Sequence, residues 1–236
     1  MTKICSKCSQ ELSIEQFVKD NRNPDGRTGY CYDCKMVATG LIEQYDKTYQ
    51  NDPDKWVSPE RNDFAYKSLK KYGIPRTLLD IGCGSGHTIR YLQWRLYGTK
   101  FYGLDLSSEA IRLAKIRVPE ATFIQGALEE TDFDKQFDMI LLMGVIEHFP
   151  DLPTSLDKIR RIKSQIGVVY IETPNMFAFT GKEEEGQYVI DLKGEEQPEW
   201  HYTRNTWEKI LRENGYTILD SLVGQFWYSE FVWIVQ

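Results

Sequence analysis

The sequence lacks long apolar runs, an excess of positive charge and more than a few cysteines. No apolar stretch approaches the roughly 20 residues of a membrane-spanning helix, and the first residues contain no apolar segment typical of a secretory signal. The 236 residues include 29 lysines and arginines, 35 aspartates and glutamates, and five cysteines. Cysteines in a chain without an export signal favour thiolate chemistry over disulfide bonds. We therefore expect a cytoplasmic protein with no membrane segment.

The deficit of positive charge is confined to the C-terminal part of the chain. Residues 1–50 contain seven basic and seven acidic side chains, which leaves 22 basic and 28 acidic ones for residues 51–236. Because phosphate backbones attract cationic faces, a large nucleic-acid footprint on that part is disfavoured. The length predicts one domain of about 150–200 residues plus a small appendage.

The first residues contain two pairs of cysteines with the spacing of a zinc site. Two residues separate the cysteines within each pair, and 22 residues separate the pairs. Four thiolates in this arrangement suit a tetrahedral zinc ion. A unit this short buries little apolar surface, so metal binding would supply much of its folding free energy. The predicted zinc ligands are Cys5, Cys8, Cys31 and Cys34.

This cysteine pattern resembles treble-clef and zinc-ribbon modules, such as those at the start of some phage-type recombination endonucleases. The resemblance covers about residues 1–36, and we place the domain boundary near residue 40. It implies recognition of nucleic acid or protein; the alternative is a structural clip or a dimerisation tab with solvated charges. The basic side chains that recognition would use are Lys3, Lys7, Lys19, Arg22, Arg27 and Lys35.

A glycine-rich turn organises the rest of the chain. An apolar run ends at Asp80, glycines follow at Gly82, Gly84 and Gly86, and an amphipathic segment begins at Thr88 and extends to position 97. This pattern predicts a buried strand, a tight turn and the start of a helix. Glycines allow a ligand to lie directly against the backbone, and the helix start adds N–H groups and the positive end of a dipole.

The spacing of these glycines distinguishes two classes of cofactor. A dinucleotide turn requires G-x-G-x-x-G, but His87 occupies the last position here. The pattern Asp-x-Gly-x-Gly-x-Gly instead resembles motif I of the class I S-adenosylmethionine-dependent methyltransferases. The resemblance implies S-adenosylmethionine as the cofactor and an α/β fold. That fold is a Rossmann-like seven-stranded sheet with helices on both faces.

Two later strand ends complete the predicted cofactor site. A second buried strand ends at Asp105, where an acidic residue binds ribose hydroxyls; a helix-capping aspartate is the alternative. A third strand over residues 121–125 precedes Ala127, where related methyltransferases often carry an acid. Adenine recognition therefore falls to the backbone of Ala127 and Leu128, or to Glu129. The predicted cofactor contacts are Asp80, Gly82, Cys83, Gly84, Gly86, Asp105, Leu106, Ala127, Leu128 and Met143.

A fourth strand, over residues 137–143, leads into Glu147 and His148. This segment resembles the ubiquinone-biosynthesis O-methyltransferase branch and its small-molecule relatives, in which the histidine is a candidate base or substrate contact. A histidine is suited to taking the proton of a hydroxyl acceptor near neutral pH. We expect Glu147 to orient His148 or to contribute to a metal site. The alternative is that both residues only cap the loop before a helix near Leu152.

Aromatic side chains and a third histidine flank the predicted site. In the leading helices, over residues 41–75, three aromatic residues either cover the cofactor or only pack. The core follows over residues 76–175, and residues 176–202 form a long connection that is either a lid or an acidic surface loop. By the same resemblance His201 faces the acceptor. The aromatic residues of the leading helices are Tyr45, Tyr49 and Trp56. Two more, Trp200 and Tyr202, lie next to His201 in the sequence, and they either stack on a flat substrate or pack against the protein.

Taken together, these features predict a methyltransferase that modifies an O or N atom of a small molecule, or of a modified nucleotide or sugar. The zinc module spans residues 1–40 and the methyltransferase domain residues 41–236. Two alternatives remain. The zinc module directs the domain to nucleic acid or protein, or the chain is an inactive cofactor-binding subunit.

Overall fold

Two small antiparallel strand pairs form the N-terminal segment of the computed structural model. The structure describes residues 1–6, 9–14, 17–19, 25–31, 40–175, 177, 185–191, 196–225 and 229–236. Within the first four of these ranges, β1 (Thr2–Ile4) pairs with β2 (Glu11–Ser13), and β3 (Phe17–Lys19) pairs with β4 (Arg27–Cys31). Cys5, Phe17 and Leu12 pack together as a very small core.

A seven-stranded sheet forms the centre of the remaining chain. The strands that follow are β5 (Thr77–Ile81), β6 (Lys100–Asp105), β7 (Thr122–Gln125), β8 (Phe137–Met143), β9 (Lys163–Pro174), β10 (Gly186–Asp191), β11 (Glu196–His201), β12 (Ile218–Gln225) and β13 (Ser229–Val235). The sheet has the order β12-β13-β9-β8-β5-β6-β7. Five strands from β9 to β7 are parallel, and β13 and β12 are antiparallel.

Helices cover both faces of this sheet. They are α1 (Leu41–Asn51), α2 (Pro59–Leu69), α3 (His87–Gln93), α4 (Ser108–Arg117), α5 (Leu152–Ile162) and α6 (Arg204–Glu213), with short 3₁₀ turns at Lys70–Tyr72 and Ile146–His148. Ser58 caps α2 by accepting a hydrogen bond from the backbone N–H of Arg61, and Pro59 fills the first helical position. In the described parts of the chain, no helix is long and apolar enough to span a membrane.

Two layers of buried side chains lie on opposite faces of the sheet. Because side chains alternate along a strand, Leu79 of β5 packs with α5 and α6, whereas Leu78 packs with α2, α3 and α4. Trp207 of α6 and Trp233 of β13 belong to the first layer, and each is almost completely buried. The predicted Rossmann-like α/β sheet with helices on both faces is therefore confirmed.

Local predictions were accurate where the sequence has a strong pattern. The predicted fourth strand coincides with β8, and the helix after Asp105 begins with Ser107 as its N-cap. The amphipathic segment after the glycine turn is shorter than predicted, because α3 ends at Gln93. Beyond that point Trp94 and Tyr97 are 70% and 84% exposed, so they make no apolar face that would extend the helix into the core.

The connection over residues 176–202 contains a β-hairpin and is not an irregular loop along its described part. Strands β10 and β11 pair in antiparallel register from Gly186 with His201 to Asp191 with Glu196. The prediction emphasised the acidic residues of this segment, whereas Tyr188, Val189 and Ile190 have high β-propensity and favour a strand. Two of its acidic residues, Glu183 and Glu184, lie outside the described residues.

The N-cap of α4 also anchors α1, so its loss is expected to lower the stability of the protein. The Ser107 hydroxyl accepts from the backbone N–H of Ala110 and donates to Asp46 of α1 at 2.6 Å. Ser107→Ala removes the cap and one buried hydrogen bond, so we expect the free energy of unfolding to fall by about 1–2 kcal/mol. Ser108→Ala is the control: its exposed hydroxyl also bonds Asp46, and its loss is expected to cost less than about 0.5 kcal/mol. Urea unfolding of both variants checks this, and equal losses would contradict it.

Candidate active site

The glycine turn between β5 and α3 opens on a cavity of about 770 Å³. Gly82 and Gly84 have φ angles of 70° and 51°, which favour glycine. A Cβ at Gly82 would collide with Val145, and one at Gly84 would lie 2.5 Å from the hydroxyl oxygen of Tyr49. The cavity lies at the carboxyl ends of the parallel strands, where the strand order reverses beside β5. This is where open α/β sheets bind ligands.

Asp105, at the end of β6, is fixed by the turn itself. Its Oδ2 accepts from the backbone N–H of Gly84 at 2.8 Å, and its Oδ1 accepts from that of Ser107 at 2.9 Å. Burial raises the pKa of Asp105 to about 6 despite these hydrogen bonds. Each carboxylate oxygen can accept a further hydrogen bond, and Asp105 lines the cavity. The carboxylate can therefore bind a pair of hydroxyls on a ligand.

Helix α1 and the segment after it cover the cavity above the turn. Asp46 accepts from the Ser107 and Ser108 hydroxyls and from the backbone N–H of Glu109, which fixes α1 on the start of α4. Tyr49 and Trp56 pack edge to face with their ring centres 5.4 Å apart. Both aromatic residues line the cavity, as does the third predicted one, Tyr45.

The structure brings nearly all predicted cofactor contacts into one wall of the cavity. Gly86 is the exception: it precedes α3, and an added Cβ would lie 3.1 Å from that of Ala114. Glu129 lines the cavity but accepts a hydrogen bond from Ser155, and burial raises its pKa. The residues that do line the wall are Asp80, Gly82, Cys83, Gly84, Asp105, Leu106, Ala127, Leu128 and Met143.

A buried arginine, which the sequence did not indicate, organises the floor of the cavity. Arg61 of α2 donates from Nε to Oε1 of Glu172, at the end of β9, at 2.7 Å. It also lies close enough to lower the pKa values of Asp80 and Glu147 by its charge. Burial outweighs this effect, so the pKa of Asp80 is raised to about 7. The charge of Arg61 therefore acts on three carboxyl groups, those of Glu172, Asp80 and Glu147.

Glu147 and His148 lie on the 3₁₀ turn after β8 and line the cavity with Glu199 of β11. His148 Nε2 is 3.8 Å from Glu199 Oε1, and His201 Nε2 is 3.8 Å from Glu199 Oε2. Burial and the neighbouring charge of Glu199 raise the pKa of Glu147 to about 8, and burial raises the pKa of Glu199 to about 7. Glu199 therefore adds a second carboxylate to the predicted pair of Glu147 and His148.

His201, in contrast, is placed behind this group. It is almost completely buried and does not belong to the cavity lining, so Glu199 separates it from the space that an acceptor would occupy. Trp200 donates to the backbone carbonyl of Phe149 at 2.8 Å and stacks on Tyr202. Both aromatic residues pack against the core. This arrangement matches the packing alternative for them.

The cap of α5 is Asp151, not Glu147 or His148. Asp151 Oδ1 accepts from the backbone N–H of Thr154 at 3.2 Å. Its Oδ2 lies 3.5 Å from Nη1 of Arg27, which joins the N-terminal segment to the rim of the cavity. Glu147 and His148 are therefore not needed to begin the helix.

The residues that the sequence did not single out come from distant parts of the chain. Arg61 and Glu172 are 111 positions apart, and Glu230 is the second residue of β13, beside the end of β9. The available signal was position: Glu172 follows the apolar run of residues 166–171, as Asp105 follows an apolar run of its own. Glu199 carried a second signal, since it is two residues from His201 in a strand and therefore on the same face.

Of the four predicted zinc ligands, only two lie in the part of the chain that the structure describes. Cys5 is buried against Phe17, whose strand partner is Cys31. Cys8 and Cys34 lie outside the described residues, as do Lys7, Arg22 and Lys35. Among the described residues there is no group of three or more metal-ligating side chains. The zinc site therefore stays a prediction.

The fold and the cavity together define a ligand-binding α/β domain of the methyltransferase type. A model of the methyltransferase-domain family matches residues 45–221. The chain belongs to this family. It resembles the crystal structure of Burkholderia thailandensis 1,6-didemethyltoxoflavin-N1-methyltransferase with bound 1,6-didemethyltoxoflavin and S-adenosylhomocysteine. The TM-score is 0.70 and the identity 21%, with 87% of this chain and 90% of that chain covered.

Curated relatives match about three fifths of the chain. The malonyl-[acyl-carrier protein] O-methyltransferase of Priestia megaterium is 31% identical over 141 residues, covering 59% of this chain and 52% of that protein. The ubiquinone biosynthesis O-methyltransferase of Alkalilimnicola ehrlichii is 27% identical over 157 residues, covering 61% of this chain and 60% of that protein. The chain spans about half the length of the curated relatives it matches.

Proposed function

We propose that this protein transfers a methyl group from S-adenosylmethionine to an oxygen or nitrogen atom of a small molecule, sugars and modified nucleotides included. The observation that carries the proposal is the glycine turn with Asp105 on one side of a single cavity and Glu147 and His148 on the other. The relatives named above include both O- and N-methyltransferases, so their names do not choose between the two acceptor atoms.

The residues of the cavity fit this cofactor. Asp105 offers two oxygens to a ribose, Ala127 and Leu128 offer backbone groups, and Tyr49 lines the cavity beside the glycine turn. When bound, the cofactor supplies a methyl carbon already activated by positive sulfur. Asp80, buried at the end of β5, is an anionic partner for the positively charged end of the cofactor.

The protein itself must position the acceptor and remove its proton. Methyl transfer is an in-line displacement, so the protein must chiefly align the acceptor and exclude water. We assign His148 as the base that takes the acceptor proton, because it lines the cavity at the strand end next to β5. Glu199, 3.8 Å from its Nε2, stabilises the imidazolium that results. Glu147 and Arg61 shape the floor.

Calorimetry with S-adenosylmethionine, followed by a tritiated-methyl screen over cell-extract fractions, tests the proposal. Micromolar cofactor binding and a labelled small molecule are expected. Binding without a labelled product in any fraction would favour the cofactor-binding subunit. A label confined to RNA, DNA or protein, and lost on deletion of residues 1–36, would favour delivery by the N-terminal segment.

The pH dependence of cofactor binding provides a further prediction. Burial raises the pKa values of Asp105, Asp80 and Glu147 to about 6, 7 and 8. A bound cation favours their ionised forms, so its binding releases protons and strengthens as pH rises through these values. S-adenosylmethionine carries one more positive charge than S-adenosylhomocysteine. The ratio of their affinities is therefore expected to shift toward S-adenosylmethionine between about pH 6 and pH 8. A constant or opposite ratio in calorimetric titrations would contradict this.

For the N-terminal segment we propose a structural zinc ion held by Cys5, Cys8, Cys31 and Cys34, with the domain boundary at residue 40. In support of the metal site, the backbone N–H of Ser9 donates to Cys5 O at 2.9 Å, so the described residues on either side of Cys8 lie close together. Two of the predicted nucleic-acid contacts are engaged within the protein instead: Lys3 with Asp25, and Arg27 with Asp151. These pairs favour a structural clip over a recognition module.

Metal analysis tests the zinc proposal directly. Purified protein is expected to contain about one zinc ion per chain, and Cys8→Ser is expected to lower that content because one of four ligands is lost. Cys83→Ser is the control, since Cys83 lies beside the glycine turn and is expected to leave the zinc content unchanged. Protein purified without chelators that contains no zinc would rule out the site.

A further inference from the structure

The half of the cavity opposite the nucleoside wall is lined by four glutamates. In the sheet, the predicted cofactor contacts other than Met143 lie at or after the ends of β5, β6 and β7, whereas Glu147 follows β8, Glu172 lies near the end of β9 and Glu230 is the second residue of β13. Glu199 of β11 also lines the cavity. Each of the four is at most 6% exposed. The acceptor would therefore meet a wall that carries four buried carboxylates beside apolar side chains such as Val145 and Phe149.

The cations of the described cavity lining do not balance this wall. Arg61 and His148 lie on the acceptor half, and the Arg61 guanidinium forms its short ion pair with Glu172. Lys55 and His87 lie on the cofactor half, where Lys55 is 5.1 Å from the Trp56 ring and His87 bonds to Asp54. Even with His148 protonated, the acceptor half has more negative than positive groups when its glutamates are ionised.

Three of the glutamates have a buried oxygen that lacks a hydrogen-bond partner in the described part of the chain. These atoms are Oε2 of Glu172, whose Oε1 is paired with Arg61, Oε2 of Glu147 and Oε2 of Glu199. His201 Nε2 lies 3.8 Å from Oε2 of Glu199, which is beyond hydrogen-bond distance. Buried acceptors in folded proteins are normally satisfied. Glu147 and Glu199 both line the cavity, so a cationic ligand there would lie beside both carboxylates.

We propose that the methyl acceptor is a primary or secondary amine, bound as its ammonium ion between Glu147 and Glu199. This inference rests on the proposed methyltransferase function and names its substrate class. Two N–H groups of the ammonium donate to the two carboxylates. A primary ammonium ion passes its third N–H proton to Nε2 of His148. A secondary ammonium ion has only two N–H groups, so one remains bonded to a carboxylate and the proton of the other passes to Nε2 of His148. The nitrogen lone pair then forms the bond to the methyl carbon while the carbon–sulfur bond breaks, and sulfur keeps that electron pair.

The charge of the wall also excludes the opposite class of acceptor. A carboxylate or phosphate would have to enter beside Glu147, Glu199 and Glu230, and it would bind only while those side chains stay protonated. Its binding would therefore weaken as pH rises, whereas ammonium binding strengthens with ionisation of the glutamates. His148, His201 and Arg61 are the cationic groups that face this cluster, and Arg61 does not titrate in the accessible range.

Three matched ligands test the inference on the protein loaded with S-adenosylhomocysteine, which prevents turnover. Cyclohexylmethylamine, cyclohexylmethanol and cyclohexanecarboxylate share one ring and differ in charge. By ligand-observed NMR titration, we expect the amine to bind at least about tenfold more tightly than the alcohol, because hydrogen bonds to charged groups are the stronger ones. The advantage is expected to grow between pH 6 and pH 8, with the carboxylate the weakest.

Variants then locate the effect. Glu199→Gln is expected to lower the preference for the amine at least about fivefold, whereas Glu120→Gln, at an exposed position outside this cavity, leaves it unchanged. Unaltered S-adenosylhomocysteine affinity in each variant shows that the fold is intact. Equal or tighter binding of the alcohol or the carboxylate overturns the inference, as does an amine preference that survives in both Glu199→Gln and Glu147→Gln. Failure of wild-type protein to bind S-adenosylhomocysteine would instead overturn the proposed function, and the same panel on ligand-free protein would still decide the charge preference.

Discussion

Asp105→Asn is expected to weaken the binding of S-adenosylhomocysteine by about 100-fold or more. The carboxylate is held by backbone N–H groups of Gly84 and Ser107, and its remaining lone pairs face the cavity. Two hydrogen bonds from ribose hydroxyls to a charged acceptor are worth about 1.5–3 kcal/mol each. In addition, the NH₂ group of asparagine replaces one of the two oxygens that accept from a backbone N–H. Two donors then face each other, which disturbs the turn. Isothermal titration calorimetry measures the change.

Asp138→Asn provides the matched control for this variant. Asp138 is the second residue of β8, so it lies at the amino-terminal end of the strand, away from the cavity at the carboxyl ends. It accepts hydrogen bonds from the backbone N–H of Arg76 and from the Ser164 hydroxyl. Its loss is expected to lower thermal stability without changing cofactor affinity. Similar affinity losses in both variants would mean that they act through stability alone. Unchanged affinity in Asp105→Asn would remove Asp105 from the cofactor site.

His148→Ala is expected to lower kcat by about 10²–10⁴-fold and to leave the affinity for S-adenosylhomocysteine within about twofold of wild type. The imidazole lines the acceptor side of the cavity, on the turn after β8, and is separated from Asp105 by β5 in the sheet order. Proton removal from the acceptor is therefore lost, whereas the nucleoside wall is intact. Single-turnover kinetics with tritiated S-adenosylmethionine, once an acceptor is found, gives both values.

The two histidines beside Glu199 make an internal comparison. His148 and His201 lie at the same distance of 3.8 Å from that carboxylate, but only His148 lines the cavity. We expect His201→Ala to lower kcat by less than about tenfold, and added imidazole to restore activity to His148→Ala alone. A larger effect at His201 than at His148 would reverse the assignment of the base.

Short-range patterns were sufficient to predict that the glycine turn and Asp105 lie together at the carboxyl ends of the strands. An apolar run, a glycine turn and a helix start are local signals, and Asp105 follows directly from the end of the next apolar run. The same reasoning located Glu147 and His148 at the end of β8. Because strand ends of a parallel sheet meet at one edge, each of these residues could be assigned without knowing which strands are neighbours.

The acceptor half depends on contacts between distant segments and could not be predicted in the same way. Arg61 meets Glu172 only because α2 packs under the carboxyl end of β9, and no sequence spacing signals that pair. Glu199 reaches His148 because a β-hairpin occupies the connection that the sequence suggested was a lid or a loop. The charge of the acceptor wall is thus a property of the tertiary fold.

A crystal structure of the protein with S-adenosylhomocysteine tests the central claim most directly. We expect the ribose hydroxyls on the carboxylate of Asp105, the adenine beside Ala127 and Leu128, and the sulfur directed toward Glu147 and His148. A crevice that stays empty at saturating ligand, or one that binds a nicotinamide nucleotide instead, would contradict the account.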